Sequence, residues 1–213
     1  MFENLKFIVP ELFLVIFNLS FLIVMLFAKS HAILSNGNKI SAVALIITAV
    51  LVRSTPVESD PVINGFYTSN DFTAFFKMLI LFLSSVILYL SDTYLKKNNL
   101  LKYEFPILIN FSVFGMMVVI SSNDLMALYL GIEIQSLSLY IIAAYRRDNL
   151  KSTEAGLKYF ILGALSSGLL LYGISLVYGA TGSTQFDLRA GGDRGINPNW
   201  QTCCAGRANG GER

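Results

Sequence analysis

The stretch NDLMALYLGIEIQSLSLYIIAAY, from Asn123 to Tyr145, is long and apolar enough to cross a membrane, yet it holds one acid, Glu133, near its middle. At a rise of about 1.5 Å per residue, the residues from Leu125 to Ala144 span the hydrocarbon core of a bilayer, which is roughly 30 Å thick. The stretch therefore predicts a transmembrane helix that carries a carboxyl group deep inside the membrane.

The carboxyl group of Glu133 is the first candidate for a functional role. An acid at the centre of a transmembrane helix costs about 2.5 to 3.5 kcal/mol on insertion scales, so it is expected to face protein or water on an ion or proton path. Tyr129, Ser136 and Tyr140 fall on the same helical face and extend it into a polar stripe. Glu133 either carries protons or only hydrogen-bonds a neighbouring helix, and its depth favours the first interpretation.

Composition places the whole chain among membrane proteins. Hydrophobic residues make up 54% and charged residues 14%, whereas an average soluble domain carries about 25% charged residues. The formal net charge of +2 is too small to indicate a nucleic-acid partner. Cys203 and Cys204 are adjacent and fit no metal-ligand spacing, and no dinucleotide-binding glycine motif is present. We therefore expect a partner in the lipid bilayer, and neither a metal nor a cofactor in this chain.

Six apolar runs predict an all-α polytopic membrane protein. Pro10 suits the first position of the first helix, with Glu11 in the first turn, and Pro106 again falls in a first turn. The second run is short, so we expect it to need flanking residues and a snorkelling Arg53 to cross. The predicted spans are residues 10–28, 40–52, 71–90, 103–121, 125–144 and 153–178.

Basic residues fall in alternate loops, which predicts the orientation of the chain in the membrane. The second and fourth loops hold almost none beyond Arg53. The first, third and fifth turns are flanked by Lys29 and Lys39, by Lys96, Lys97 and Lys102, and by Arg146, Arg147 and Lys151. The pattern predicts that these three turns face the cytoplasm or matrix and that the N-terminus lies on the outer side.

Two lysines lie inside predicted spans. Lys77 is about two turns into the third span, and its long stem favours snorkelling to the headgroups over a functional role. Lys158 is about one turn into the sixth span, with Glu154 four residues earlier. An interfacial ion pair with Glu154 and a place on the proton path are equally open for Lys158.

Long continuous segments of the chain resemble one known family. EFPILINFSVFGMMVVISSNDLMALYLGIEIQSLSLYIIAAY (Glu104 to Tyr145) and STEAGLKYFILGALSSGLLLYGISLVYGATGST (Ser152 to Thr184) are similar to subunit 2 of proton-pumping NADH:quinone oxidoreductase, respiratory complex I, which is called subunit N in bacteria. FFKMLILFLSS (Phe75 to Ser85) and the dipeptide Pro10-Glu11 also fit this resemblance.

The resemblance implies a fold, a function and site residues. The family consists of antiporter-like membrane subunits, which are similar to cation/proton antiporters and are built from inverted repeats with broken helices. Its buried fifth-helix glutamate corresponds to Glu133, and Lys158, in the matching EAGLKY, is the second candidate for the proton path. The resemblance thus implies a proton-translocating, non-redox subunit that holds no cofactor and assembles with other complex I membrane subunits.

The last part of the chain departs from the family pattern. A family member would continue after Asp187 with a short loop and a broken seventh helix carrying the lysine partner of Glu133. Residues 188–213, LRAGGDRGINPNWQTCCAGRANGGER, have no apolar period and predict a polar, disordered tail outside the family. A flexible tail and a translated intron or rearrangement junction are equally open. We expect that this chain alone does not pump, and that a separate chain would have to supply the missing helices.

Three functions compete at this stage. Motif similarity favours a complex I subunit, truncated before the seventh helix, over a subunit of a sodium/proton antiporter. A non-conducting fragment with a structural or assembly role is the third hypothesis. The abundance of Phe, Ile, Leu, Asn and Lys before the tail favours the mitochondrial inner membrane, with the bacterial plasma membrane as the alternative.

Overall fold

Six α-helices and one β-hairpin make up the described part of the chain, which in this computed structural model comprises residues 2–27, 31–55, 58–62, 66–97, 104–146 and 149–186. The helices are α1 (Phe2–Phe27), α2 (His31–Ser54), α3 (Asp71–Lys97), α4 (Glu104–Ser121), α5 (Leu125–Ala143) and α6 (Leu150–Thr181). The antiparallel strands β1 (Glu58–Val62) and β2 (Tyr67–Ser69) form the hairpin. Each helix has a stretch long and apolar enough to cross a membrane, so the predicted all-α, six-span architecture is confirmed.

The first helix begins earlier than the sequence predicts. Because α1 starts at Phe2, Pro10 lies inside the helix, and the expected start at Pro10 is wrong. Glu11 is consequently not in the first turn. A proline removes one backbone hydrogen bond, a loss that transmembrane helices tolerate where neighbouring elements pack around them, and Pro10 is fully buried.

The second helix is also longer than its predicted span. It begins at His31, and its membrane-crossing part is Asn36–Ser54, so flanking residues complete the span as expected. Asn38 precedes the predicted run and Ser41 lies within it, and both polar side chains are buried in the protein and need not face lipid. Hydropathy alone does not predict that such polar groups are buried against other helices.

The remaining helices agree better with the predicted spans. α4 and α5 match 103–121 and 125–144 closely, although Tyr103 lies outside the described residues. α3 extends past 71–90, and its inward face continues through the buried residues Asp92 and Leu95. α6 extends past 153–178 at both ends. The predicted tail, 188–213, lies outside the described residues.

Helices α1 to α4 enclose the main core. Polar contacts join them within it: the Ser41 hydroxyl lies 2.9 Å from Asn110 Oδ1, and Asn18 Nδ2 donates to the Ile107 carbonyl at 3.3 Å. Such interhelical hydrogen bonds hold helices together in lipid, where hydrophobic burial gives little driving force. The fully apolar part of this core consists of Leu14, Ala42, Leu45, Val52, Leu81, Leu88, Val113 and Met117.

Helices α5 and α6 lie at the edge of this bundle. Two glycines let α5 approach α4, because a Cβ atom on Gly115 would lie 2.7 Å from the Gly131 carbonyl oxygen. Among the described helices, α6 makes an extensive contact only with α5. The two helices are close enough that a Cβ atom on Gly156 would lie 2.5 Å from the Ala144 Cβ. Most of the α6 surface is therefore uncovered by the described residues.

The connections on one face of the bundle are hydrogen-bonded to each other. The Asn123 N–H donates to the Phe66 carbonyl at 3.0 Å, and the Phe186 N–H donates to the Asn123 carbonyl at 3.1 Å. The hairpin, the α4–α5 loop and the segment after α6 thus share a face, as alternating spans require. Which side of the membrane this face occupies stays a prediction.

Candidate functional site

The start of α5 is fixed by a side chain that also holds the segment after α6. Asp124 Oδ1 accepts the N–H groups of Met126 and Ala127 at 2.7 and 3.3 Å, which is the usual N-cap arrangement. The other carboxylate oxygen, Oδ2, accepts the Thr184 hydroxyl at 2.5 Å. Since Asp124 is fully buried, it determines where the helix that carries Glu133 begins.

The Glu133 carboxyl group lies within α5 without a complete set of partners. Its side chain is half-buried, and its Oε1 atom is shielded yet accepts no hydrogen bond from the residues that the structure describes. Leaving a buried acceptor unpaired costs about 1 to 3 kcal/mol, and more for a charged group. A proton on the carboxylate, or a donor from outside the described chain, would reduce this cost.

Glu133 points away from the main bundle. It follows Gly131 by two residues, or about 200° around the helix, and Gly131 is the point of contact with α4. Tyr140, on the same face as Glu133, reaches α6, where a Cβ atom on Gly163 would collide with its hydroxyl. The Tyr140 ring also packs edge-on against Tyr159, with centroids 4.9 Å apart. The face of Glu133 is therefore the face on which α6 packs.

The other predicted members of the polar stripe do not hydrogen-bond to the Glu133 carboxylate. Tyr129 and Ser136 are half-buried on α5, as the helical spacing predicts. Among the described residues, no hydrogen bond joins either of them, or Tyr140, to the Glu133 carboxylate. The structure thus brings the stripe together on one face and leaves the acid available to a further partner.

Lys158 forms the local ion pair that its spacing predicts. Its Nζ lies 2.5 Å from Glu154 Oε1, one turn earlier on α6, and the two side chains are 69% and 56% exposed. Within the described ranges, no ion pair joins Lys158 to Glu133. The ion-pair interpretation is confirmed, and a role for Lys158 in the proton path stays a prediction.

Lys77 does not snorkel, and that expectation is wrong. Its side chain is only 5% exposed, and its Nζ lies 2.5 Å from Oε1 of Glu11, which is equally buried. Nζ also donates to the Tyr67 hydroxyl at 2.8 Å and lies 4.8 Å from the centre of the Tyr67 ring. Pairing within the protein is less costly here than stretching the stem to the headgroups, because the partner carboxylate is at the same depth.

The ion pair between Glu11 and Lys77 is a feature that the sequence interpretation missed. Two opposite charges within predicted spans were the available signal, because intramembrane charges usually pair with one another. Tyr67 joins the pair from β2, with its hydroxyl 2.9 Å from Glu11 Oε1. Burial, followed by the negative charge of Glu11, raises the pKa of the Tyr67 hydroxyl well above its ordinary value. Tyr67 therefore keeps its proton and remains a hydrogen-bond donor.

Comparison with known proteins shows that this chain is similar to respiratory membrane subunits. A family model described as NADH:quinone oxidoreductase/Mrp antiporter, TM, matches residues 122–204. NADH-quinone oxidoreductase subunit N of Paramagnetospirillum magneticum is 45% identical over 197 residues, which are 90% of this chain and 40% of the relative. The same subunit of Rhodospirillum rubrum is 47% identical over 179 residues, or 84% of this chain and 37% of the relative.

Solved structures agree in fold. A chain of respiratory complex I from Thermus thermophilus with bound aureothin superposes with a TM-score of 0.66 at 24% identity, covering 89% of this chain and 40% of that chain. A chain of the membrane-bound sulfane sulfur reductase, an archaeal respiratory membrane complex, gives a TM-score of 0.69 at 20% identity, covering 92% and 41%. At these identities the structural likeness bears on the fold alone.

These likenesses confirm the resemblance to subunit N over the region that the chain covers. The chain spans about two fifths of the length of the curated relatives it matches. The family match ends at residue 204 and so includes part of the predicted tail. The proposed origin of residues 188–213 outside the family stays a prediction.

Proposed function

We propose, from the likeness to subunit N of NADH-quinone oxidoreductases, that this chain is part of a proton-translocating membrane subunit of such an enzyme. The observation that carries the proposal is the Glu133 carboxylate, which lies in a spanning helix with one shielded, unpaired oxygen and, unlike Glu11, has no ion pair among the described residues. In this function Glu133 binds and releases a proton, since a neutral acid is far less costly in the membrane than an isolated charged one. Redox chemistry and its cofactors would belong to other subunits.

The uncovered face of α5 and α6 supports assembly with further membrane helices. Glu154 and Lys158 are charged and exposed on α6, and charges within spanning segments are normally covered by protein or water. We propose that helices from the remainder of the subunit, or from a separate chain, cover this face together with other complex I membrane subunits. A basic side chain from those helices would complete the surroundings of Glu133.

A sodium/proton antiporter subunit is the second candidate function. The matched family model includes antiporter subunits as well as oxidoreductase subunits, so the same fold serves both descriptions. The named relatives support the oxidoreductase. For location we propose the mitochondrial inner membrane, with the bacterial plasma membrane as the alternative that the bacterial relatives support.

Substitution of Glu133 within the complete complex tests the proposed function. Glu133→Gln keeps the size and the hydrogen-bonding atoms but removes the titratable group, so assembly should survive while proton pumping falls several-fold. Asp71→Asn, which removes an exposed acid at the start of α3, is the matched control and should leave pumping unchanged. Proton uptake into vesicles, driven by NADH oxidation, measures the effect.

The same experiment distinguishes transport from a purely structural role. If Glu133 only pins two helices, the amide replaces the carboxyl group and Glu133→Gln pumps normally, whereas Glu133→Ala weakens assembly and pumping together. Normal pumping by Glu133→Gln would therefore contradict the proposal. Proton flux that requires a sodium gradient and continues without NADH would favour the antiporter subunit.

A further inference from the structure

A cavity opens on the face of the bundle opposite the hairpin. It lies where α3 and α5 end and α4 and α6 begin, and its volume is about 530 Å³. Because helix ends meet there, the cavity is at the surface of the bilayer rather than at its centre. Its lining changes from apolar to polar towards the α5–α6 connection.

The polar part of the cavity is suited to an anion. Arg146 lines it, is exposed, and its guanidinium makes no ion pair with any residue that the structure describes. Ser91 contributes a hydroxyl group, and Asn149, whose Oδ1 accepts the Lys151 N–H at 3.0 Å, has its side-chain NH₂ remaining as a donor. No acid is among the described lining residues. A guanidinium with nearby neutral donors is the arrangement that binds phosphate oxygens.

The apolar part of the cavity is suited to a hydrocarbon chain. Leu95, Phe105 and Ile142 line it, and the Phe105 ring packs edge-on against Tyr145 with centroids 5.6 Å apart. Aromatic side chains with a polar end are enriched at this depth of the bilayer. A free phosphate ion would leave this wall without a contact, whereas a phospholipid would use both parts of the cavity.

The charge of the surrounding face agrees with an anionic lipid. Lys97 and Lys151 are exposed on the same face, and the surface potential of such a face attracts anionic headgroups. Two other cavities are less suitable. One is lined by Ile8, Leu12, Val15 and the acid Glu11, and the other includes the acid Glu104.

We propose that this cavity binds an anionic glycerophospholipid from the leaflet on the basic face. Arg146 contacts the phosphate, Ser91 and Asn149 donate to its oxygens or to the glycerol, and the first part of one acyl chain lies against Leu95, Phe105 and Ile142. The lipid fills the space between the ends of α3 and α5 and the starts of α4 and α6. This binding site is independent of proton transfer at Glu133.

Lipid binding to the purified full chain in micelles tests the proposal. The probes are phosphatidylglycerol and phosphatidylcholine with identical acyl chains, and native mass spectrometry measures the bound fraction. We expect preferential retention of phosphatidylglycerol and a loss of about tenfold in Arg146→Gln, the effect of removing one charge-assisted contact. Lys151→Gln removes a positive charge from the same face outside the cavity, so it should cause a clearly smaller loss.

A second variant separates the cavity from the general charge of the surface. Ser91→Phe fills the cavity without changing its charge, so it should also displace phosphatidylglycerol, while Glu133→Gln should bind it normally. Equal losses in Arg146→Gln and Lys151→Gln, or unchanged binding in Ser91→Phe, would overturn the proposal. Equal retention of phosphatidylcholine would show annular lipid only, and competition by inorganic phosphate would assign the site to a soluble anion; either result also overturns it.

Discussion

The α1–α4 bundle contains an ion pair between two different helices, whereas the ion pair described in α5 and α6 joins two residues of one helix. Glu11 and Lys77, from α1 and α3, are both 5% exposed and 2.5 Å apart. Glu11 and Glu133 each keep one shielded oxygen without a hydrogen bond among the described residues, but Glu133 also has no ion pair there, and Lys158 pairs with Glu154 on its own helix. Removing either member of the buried pair would leave an uncompensated charge in the bundle, whereas Glu133 has no such partner to lose among the described residues.

The two regions also differ in how far they are covered. Between 33% and 44% of the residues in the spanning windows of α1 to α4 are buried, against 11% for α5 and 6% for α6. Glu133, an acid without an ion pair among the described residues, therefore lies on one of the two helices that the described chain covers least. This contrast supports the proposed role of Glu133 on α5, while the ion pair in the bundle joins α1 to α3.

The largest expected effect comes from removing the lysine of the buried pair. Lys77→Met leaves the Glu11 carboxylate buried without its cation, so the free energy of unfolding should fall by about 3 to 5 kcal/mol. Lys158→Met breaks an exposed pair between adjacent turns and should cost only about 0.3 to 0.5 kcal/mol. Denaturant unfolding of each variant in the same micelles measures the difference.

A double substitution checks the reason for this loss. In Glu11→Leu with Lys77→Met, neither charge is left unpaired, so most of the stability should return. Losses of equal size in Lys77→Met and Lys158→Met would mean that the Glu11–Lys77 pair is not a stabilising feature of the bundle. The distinction between the two regions would then rest on coverage alone.

The sequence predicts the spans well because apolar length is a local property. The six helices and the depth of Glu133 follow from it, and α4 and α5 agree with their predicted bounds. The start of α1 disagrees with its predicted bound, because packing around Pro10 overrides the local preference of proline for a first turn. The hairpin between α2 and α3 was also missed, since Pro56 and Pro61 indicate only a loop.

The part of the site that the sequence could not predict depends on contacts between distant residues. Glu11 and Lys77 are separated by 66 positions, and each alone permits a simpler interpretation, as a first-turn acid and a snorkelling base. Lys158 and Glu154 are one turn apart, so their pairing could be predicted from helical spacing. Pairing within a helix is local, whereas pairing between helices requires the fold.

An intermediate effect is expected where α5 packs on α4. Gly115→Val should lower the free energy of unfolding by about 1 to 3 kcal/mol relative to a Gly→Val change at an open helical position, because its Cβ meets the backbone of Gly131 and Gln135 at 2.7 and 2.8 Å. Gly168→Val on α6 has the same small gain in helix propensity, and outside its own helix no described atom lies within 4 Å of its Cβ. The difference between the two variants in unfolding experiments therefore isolates the helix contact.

Equal losses of stability in the two glycine variants would contradict the open surface around Gly168. If Gly168→Val destabilises the chain as much as Gly115→Val, the surface of α6 around Gly168 is covered, for instance by a second copy of the chain in the micelle. Measuring the molecular mass of the micellar protein alongside unfolding separates that case from a uniform effect of valine in helices.

The smallest expected effect concerns the hydroxyl that connects the hairpin to the buried pair. Tyr67→Phe keeps the ring beside Lys77 but removes the hydroxyl that contacts Lys77 Nζ and Glu11 Oε1. Near pH 8 the variant should lose about 1 kcal/mol, the usual net contribution of a hydrogen bond. A larger loss, similar to that of Lys77→Met, would mean that the ion pair does not persist without the Tyr67 hydroxyl.

Alkaline pH should make this loss smaller. Because the pKa of Tyr67 is raised in the folded chain, the folded state keeps a proton that the unfolded state releases above about pH 10. The unfolded state then binds fewer protons, so the stability of the unsubstituted chain falls as pH rises, by about 1.4 kcal/mol per pH unit. Tyr67→Phe lacks this proton, so its deficit should narrow by about 1.4 kcal/mol between pH 8 and 11, enough to remove it, when both proteins are unfolded in parallel. A deficit that stays constant would show that Tyr67 ionises as freely in the folded chain as in the unfolded one, and would remove it from the buried site.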